Sequence, residues 1–309
     1  MPNFRAITEA TESERTLQSI GETTALNDFM ALIKVGIVNS NIITAFTGLW
    51  LALHFSGASF LGNLDLVFFV VAGSAFIIAG SCSFNNFYDR DIDQLMERTK
   101  KRPTVTGKIK PAGVLTISFL FIGCGLALLA AANIMTAVLG FLGVFTYIYL
   151  YTVVSKRRFV SNTIIGSLSG AVPPLIGWAA VEPHLDIMAW TLFGIMFLWQ
   201  PPHFYALAMK RAEEYRAADI PMLPVVKGFK RTKNSIVMWV VFLMGVPFFL
   251  GPLGWPVVIL SSVLGAGWLI LGLIGFKMQD DIKWARLMFV YSLNYMTILF
   301  VAMVIATLI

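Results

Sequence analysis

Residues 66–103 read LVFFVVAGSAFIIAGSCSFNNFYDRDIDQLMERTKKRP: an apolar run, then acids and amides, then cations. As a helix, the run 66–86 is long enough to cross a hydrocarbon core of roughly 30 Å. Asn85, Asp89 and Asp93 stand four residues apart at its end. That spacing puts all three on one helix face, about 6 Å apart per step. Two carboxylates and an amide facing one way, with Arg98, Lys100, Lys101 and Arg102 beside them, form a receptacle for a magnesium-bridged diphosphate. Asp89 and Asp93 can each give one oxygen to Mg²⁺, which keeps waters and completes its octahedron from phosphate oxygens. Asn85 offers a neutral carbonyl, and the basic side chains neutralise the diphosphate, Arg in bidentate fashion. A loop that only fixed topology would need no Asn-x-x-x-Asp-x-x-x-Asp register. The arrangement points to an enzyme handling an isoprenoid diphosphate at a bilayer surface.

The rest of the chain agrees with a membrane setting. Of its 309 residues 57% are hydrophobic and only 13% charged, with mean hydropathy +0.77, where a soluble domain carries about a quarter charged. Nine apolar stretches are expected to span, at about 29–54, 66–86, 112–131, 134–154, 162–181, 187–208, 235–252, 256–276 and 285–308. Long runs without alternation argue against a barrel. The predicted fold is therefore an all-α, polytopic bundle of nine transmembrane helices, residues 29–309, after a polar cytoplasmic tail, 1–28. The net charge of +6 is not one basic face, so no nucleic-acid partner is implied. Twenty of the 23 basic residues fall in alternate loops, which puts the N-terminus in the cytoplasm and the C-terminus outside. Cys82 and Cys124 lie in apolar runs and read as packing residues. The two long cytoplasmic loops, 87–111 and 209–234, begin inside helix ends where charge is costly unless it lines a cavity, and they mark the candidate site.

The segment Asn85 to Gly107 resembles the first aspartate-rich motif of the UbiA superfamily of intramembrane prenyltransferases. More narrowly, Asp-Arg-Asp-Ile-Asp-x-x-Met-x-Arg-Thr-x-x-Arg-Pro at 89–103 is similar to the bacterial protohaem IX farnesyltransferases, or haem O synthases. The resemblance implies a cytoplasm-facing cavity, Mg²⁺, farnesyl diphosphate as donor and haem B as the acceptor substrate. It also implies a bacterial plasma membrane, and haem A synthase or a terminal oxidase assembly as partners. An aromatic quinone precursor is the alternative acceptor.

The superfamily has a second Asp-x-x-x-Asp after the sixth span, but here that face carries Lys210 and Glu214, then Ala218. Glu214 is the expected third metal ligand beside Asp89 and Asp93, and Lys210 is expected to meet the diphosphate. The Glu-Tyr-x-x-Ala-x-Ile-Pro-Met-Leu-Pro run at 214–224 favours the haem O synthase subfamily. Lys156 and Arg157 follow Tyr151 with one residue more than the superfamily's Tyr-x-x-x-Lys, and are carried over as phosphate or carboxylate contacts. His203 lies in Trp-x-Pro-Pro-His-Phe, where the proline pair is expected to break the helix beside the site. Its imidazole can ligate haem iron or hydrogen-bond a propionate or the attacking water. Pro173-Pro174 predicts a second break in the same cavity wall.

Overall fold

The computed structural model describes residues 24–309. Among them the secondary structure is all helical, as it must be where no water can satisfy the backbone. The expected tail lies mostly outside the described residues. Its last part already belongs to α1 (Ala25–Ile33), whose first turn is capped by Thr24 accepting from the Asn27 amide at 3.2 Å. Lys34 then takes a left-handed conformation, φ 53° and ψ 58°, and α2 (Val35–Phe55) departs in a new direction of chain. The expected first span is thus two helices hinged on one lysine.

A single 3₁₀ turn, Leu61–Asn63, leads into α3 (Leu64–Tyr88), followed by the short α4 (Arg90–Asp93) and by α5 (Pro111–Ala132). Next, α6 (Ile134–Phe145) continues as a π-helical stretch, Thr146–Ser155. Then come α7 (Asn162–Ala171), α8 (Pro173–Val181), α9 (Ile187–Lys210) and α10 (Ala212–Ala217). After α11 (Leu223–Leu243) a 3₁₀ stretch, Val246–Leu253, precedes α12 (Trp255–Ile274) and α13 (Asp281–Ala306).

Among the described residues eight segments are long and apolar enough to cross a membrane. The remaining expected span, the sixth at about 187–208, falls on α9, which has the length, 24 residues, but carries Gln200, Pro201, Pro202 and His203 in its later turns. By length and composition together the count is eight. Helices α7, α8, α11 and α13 all pack on α9, so much of its surface meets protein instead of lipid and can be more polar.

The two proline pairs behave differently. The chain breaks at the first, with α7 ending at Ala171 and α8 starting at Pro173. At the second the expected break is absent, and α9 runs through Pro201 and Pro202 to Lys210. Two missing N–H groups weaken its ladder, but Trp199, Tyr205 and Met209 are buried on it and hold the helix in place. Gln200 Nε2 also donates to Met196 O at 2.9 Å and to Ser167 O at 3.1 Å, tying α9 to α7 at that level.

Between apolar helices in lipid there is little hydrophobic drive, so close contact depends on small residues. On α8, a Cβ at Gly177 would lie 1.8 Å from Ala45 O of α2. On α5, one at Gly125 would lie 2.8 Å from Gly73 O of α3. These two contacts clamp the helices that flank the site. Gly177→Ala should push α2 from α8 and cost about 1–3 kcal/mol by overpacking. Gly194→Ala on α9, with nothing within 4 Å of the added carbon, should cost far less. Thermal unfolding in detergent should show a lower midpoint for the first variant only.

Candidate active site

The acidic register survives the end of its helix. Asp89 caps α3, and its amide donates to Asn85 O at 2.9 Å. The Asp93 amide donates in turn to Asp89 O at 2.8 Å, so the four-residue ladder carries on into α4. Asn85, Asp89 and Asp93 thereby lie in line, 2%, 0% and 1% exposed. Thr99 Oγ1 donates to Asp93 O at 2.7 Å and folds the following loop back over the site.

Each carboxylate is met by a cation. Arg102 Nη1 reaches Asp93 Oδ2 at 2.5 Å. Lys156 Nζ pairs with Asp89 Oδ2, which also accepts from Asn85 Nδ2 at 2.8 Å. Arg157 Nη2 approaches Asp89 Oδ1 at 3.4 Å while forming a two-pronged pair with Asp91, both contacts at 2.7 Å. Those Arg157 hydrogen bonds hold the Asp91 carboxyl below its ordinary range and push the guanidinium further up. A charged group at this depth is tolerable only when it is so paired.

Lys156 owes its position to the π-helical stretch. Its amide donates to Tyr151 O at 2.8 Å, five residues back. The wider turn absorbs the extra residue between Tyr151 and Lys156, and still brings the lysine onto the carboxylate. Local π geometry is frequent at functional sites for this kind of re-aiming.

Beside this cluster opens a cavity of about 870 Å³. Its charged side is lined by Lys34, Asp93, Arg98, Arg102, Lys156 and Arg211. Its apolar walls include Ile77, Val144, Ile176, Met196, Trp199 and Met296, and His203 faces the same space. Tyr147 and Tyr151, with ring centroids 5.7 Å apart, line it too.

Several expected residues stand elsewhere. Lys100 turns outward to Glu97 at 2.6 Å, and Lys101 is exposed; neither lines the cavity. Lys210 does not line it either, because its ammonium rests 4.5 Å above the Phe289 ring. Glu214 pairs with Arg211 at 2.6 Å and is absent from the cavity wall. Asp89, Asp93 and Glu214 do not gather: among the described residues no three His, Cys, Asp or Glu side chains form a metal-sized cluster. Arg157 belongs to the outer support of Asp89. Asn85, Asp93, Arg98, Arg102, Lys156 and His203 all face the cavity.

Two further residues join them. Arg211 enters the wall one position beyond the expected Lys210. Lys34 comes from the α1–α2 hinge and donates to Asn85 Oδ1. A non-glycine residue in the left-handed region costs on the order of 1–3 kcal/mol, and here that conformation accompanies an ammonium beside the buried acids. A lone lysine at the head of an apolar span was the available signal.

Residues 41–294 match the profile of the UbiA prenyltransferase family. The chain is 64% identical to protoheme IX farnesyltransferase 2 of Bacillus velezensis, covering 94% of this chain and 95% of that one. It is 56% identical to protoheme IX farnesyltransferase of Geobacillus sp. strain WCH70 over the full length of both. The fold is similar to a solved digeranylgeranylglyceryl phosphate synthase, TM-score 0.70 at 19% identity over 91% of this chain and 98% of that chain. It is also similar to a UbiA homolog from Archaeoglobus fulgidus bound to DMAPP and Mg²⁺, TM-score 0.65 at 18% identity over 88% and 99%. A multi-helix membrane bundle whose cavity is lined by the buried Asp93 and several cations, and relatives this similar along their whole length, place the chain in the UbiA prenyltransferase family.

Proposed function

We propose that this chain transfers the farnesyl group of farnesyl diphosphate to the 2-vinyl group of haem B, with addition of water, to give haem O and diphosphate. The observation that carries the reading is one continuous cavity with a cationic, carboxylate-bearing side and an apolar, His203-bearing wall. Near full-length relatives at 54–64% identity carry the name of that activity.

Asp89 and Asp93 fit a hard divalent cation such as Mg²⁺, as paired carboxylates in four-residue register. When bound, that ion would neutralise charge building on the diphosphate. The chain's own cations supply the rest. Arg102 and Lys156, paired with the carboxylates, are placed to pass to phosphate oxygens as a metal takes those carboxylates. Arg98 and Arg211 add fixed positive charge on the same side, and Lys34, which burial brings down to about 7, adds an ammonium that a bound diphosphate would keep protonated. Glu214 in this reading positions Arg211 and does not hold the metal. As the carbon–oxygen bond breaks, the allylic carbon becomes cationic, and the Tyr147–Tyr151 pair and apolar wall exclude water and offer π-faces to it. The vinyl group attacks, and water captures the resulting cation beside the ring. Its released proton leaves with the diphosphate.

We further propose that the mouth faces the cytoplasm, as the alternate basic loops support, and that the membrane is a bacterial plasma membrane, with nine spans once α9 is counted. A cysteine introduced at Ser59, exposed beyond α2, should then react with an impermeant reagent added outside intact cells.

Purified protein in nanodiscs with haem B, farnesyl diphosphate and Mg²⁺ should form haem O by mass, and EDTA should abolish it. Asp93→Asn should cut turnover about 10²–10³-fold, the scale for removing one charge-stabilising group. Product from phenolic acceptors and none from haem B would replace the reading with a quinone-precursor prenyltransferase. Lys34→Gln should weaken farnesyl diphosphate binding about 10-fold or more, the worth of one charge-assisted contact, measured as KM. An unchanged KM would remove Lys34 from the diphosphate site.

A further inference from the structure

His203 is clamped on both faces. Its ring stacks on Trp199 with centroids 4.5 Å apart and on Phe289 at 4.7 Å, so the imidazole plane is held edge-on. Nδ1 lies 2.7 Å from Ser292 Oγ on α13. That hydroxyl is also 2.6 Å from Phe289 O, a carbonyl with no proton to give. Ser292 has one hydrogen, and the carbonyl takes it. The hydroxyl must then accept from His203, so the proton sits on Nδ1 and the lone pair on Nε2. Trp199 Nε1 donates to Ser292 O at 2.8 Å and fixes the same turn of α13.

This tautomer narrows what Nε2 can bind. A propionate offers only lone pairs, and an unprotonated Nε2 offers the same, so a carboxylate contact is disfavoured. A metal ion accepts a lone pair. Ligating imidazoles characteristically donate their other N–H to an oxygen that fixes ring and tautomer, as Ser292 does here. The one hydrogen bond of the His203 ring among the described residues is that of Nδ1 to Ser292, which leaves Nε2 free, and the side chain lines the cavity.

We propose that His203 Nε2 is an axial ligand to the iron of the bound porphyrin and that Ser292 is its positioning residue. The proposal rests on the haem reading above for the identity of the porphyrin. It places the macrocycle against the α9–α13 wall, with Phe289 carrying Lys210 on its far contact.

The test loads the full chain in nanodiscs with haem B alone and records the ferrous resonance Raman spectrum. The wild type should show an iron–histidine stretch. His203→Ala should lose it and regain an iron–imidazole band with added imidazole. Ser292→Ala should keep the ligand with a shifted stretch and about 10- to 100-fold weaker haem binding, and Ser292→Thr should restore both. Farnesyl diphosphate and Mg²⁺ are then added to the same wild-type sample, and haem O is assayed. Haem O formation without an iron–histidine band, or with one that persists in His203→Ala, overturns the ligand assignment and leaves the activity standing. A histidine band without haem O supports the assignment and overturns the activity. A Ser292→Ala spectrum and affinity equal to wild type overturn the positioning role. An unchanged band in His203→Ala with product lost assigns Nε2 to the attacking water instead.

Discussion

Two carboxylates removed from water, Asp89 and Asp93, set the terms for the rest of the site. Neither could remain charged at that depth without a cation, and the chain brings those cations from distant elements. Arg102 comes from the loop after α4, and Lys156 and Arg157 from the end of the π-helical stretch. Lys34 reaches Asn85 from the α1–α2 hinge. The pairing costs desolvation on both partners, and such pairs are weak contributors to net stability. In the proposed reaction their value lies in placement: the same cations that neutralise the acids would meet the diphosphate.

The π-helical stretch and the left-handed Lys34 follow from that demand. Regular α geometry at 146–155 would turn Lys156 to another face, and a continuous first span would carry Lys34 past Asn85. Each local departure from regular helix places one ammonium beside the acids. Such departures cost energy, which the fixed packing of α2 on α8 and of α3 on α5 offsets at a distance.

Much of this was legible in the sequence. The four-residue acid register is local and helical, so it persisted through the change from α3 to α4. Hydropathy located the spans because a bilayer demands apolar length; α9, which other helices surround, has the length of a span with a more polar composition. The errors have physical causes. Arg98 and Arg102 are themselves four apart, whereas Lys100 and Lys101 fall between them on other faces; the spacing that selected the acids would also have sorted the cations. The Pro201-Pro202 break failed because tertiary packing holds α9 through two lost hydrogen bonds. Lys34 and Ser292 were missed because no local pattern joins residues 51 and 89 positions from their partners.

The cavity also solves a conflict between its two halves. A diphosphate is released only where positive charge is concentrated, yet an allylic cation must form without being repelled or hydrated. The structure separates these needs along one space. Lys34, Arg98, Arg102, Lys156 and Arg211 hold one side, while Trp199 and His203 present aromatic and imidazole surface on the wall, with Phe289 stacked on the imidazole. The nearest ammonium to that stack, Lys210, is laid on the Phe289 face, where a ring quadrupole balances it. In the proposed reaction, charge on the carboxylate side and neutrality on the wall together would let departure of the anion and capture of the cation take place in one cavity.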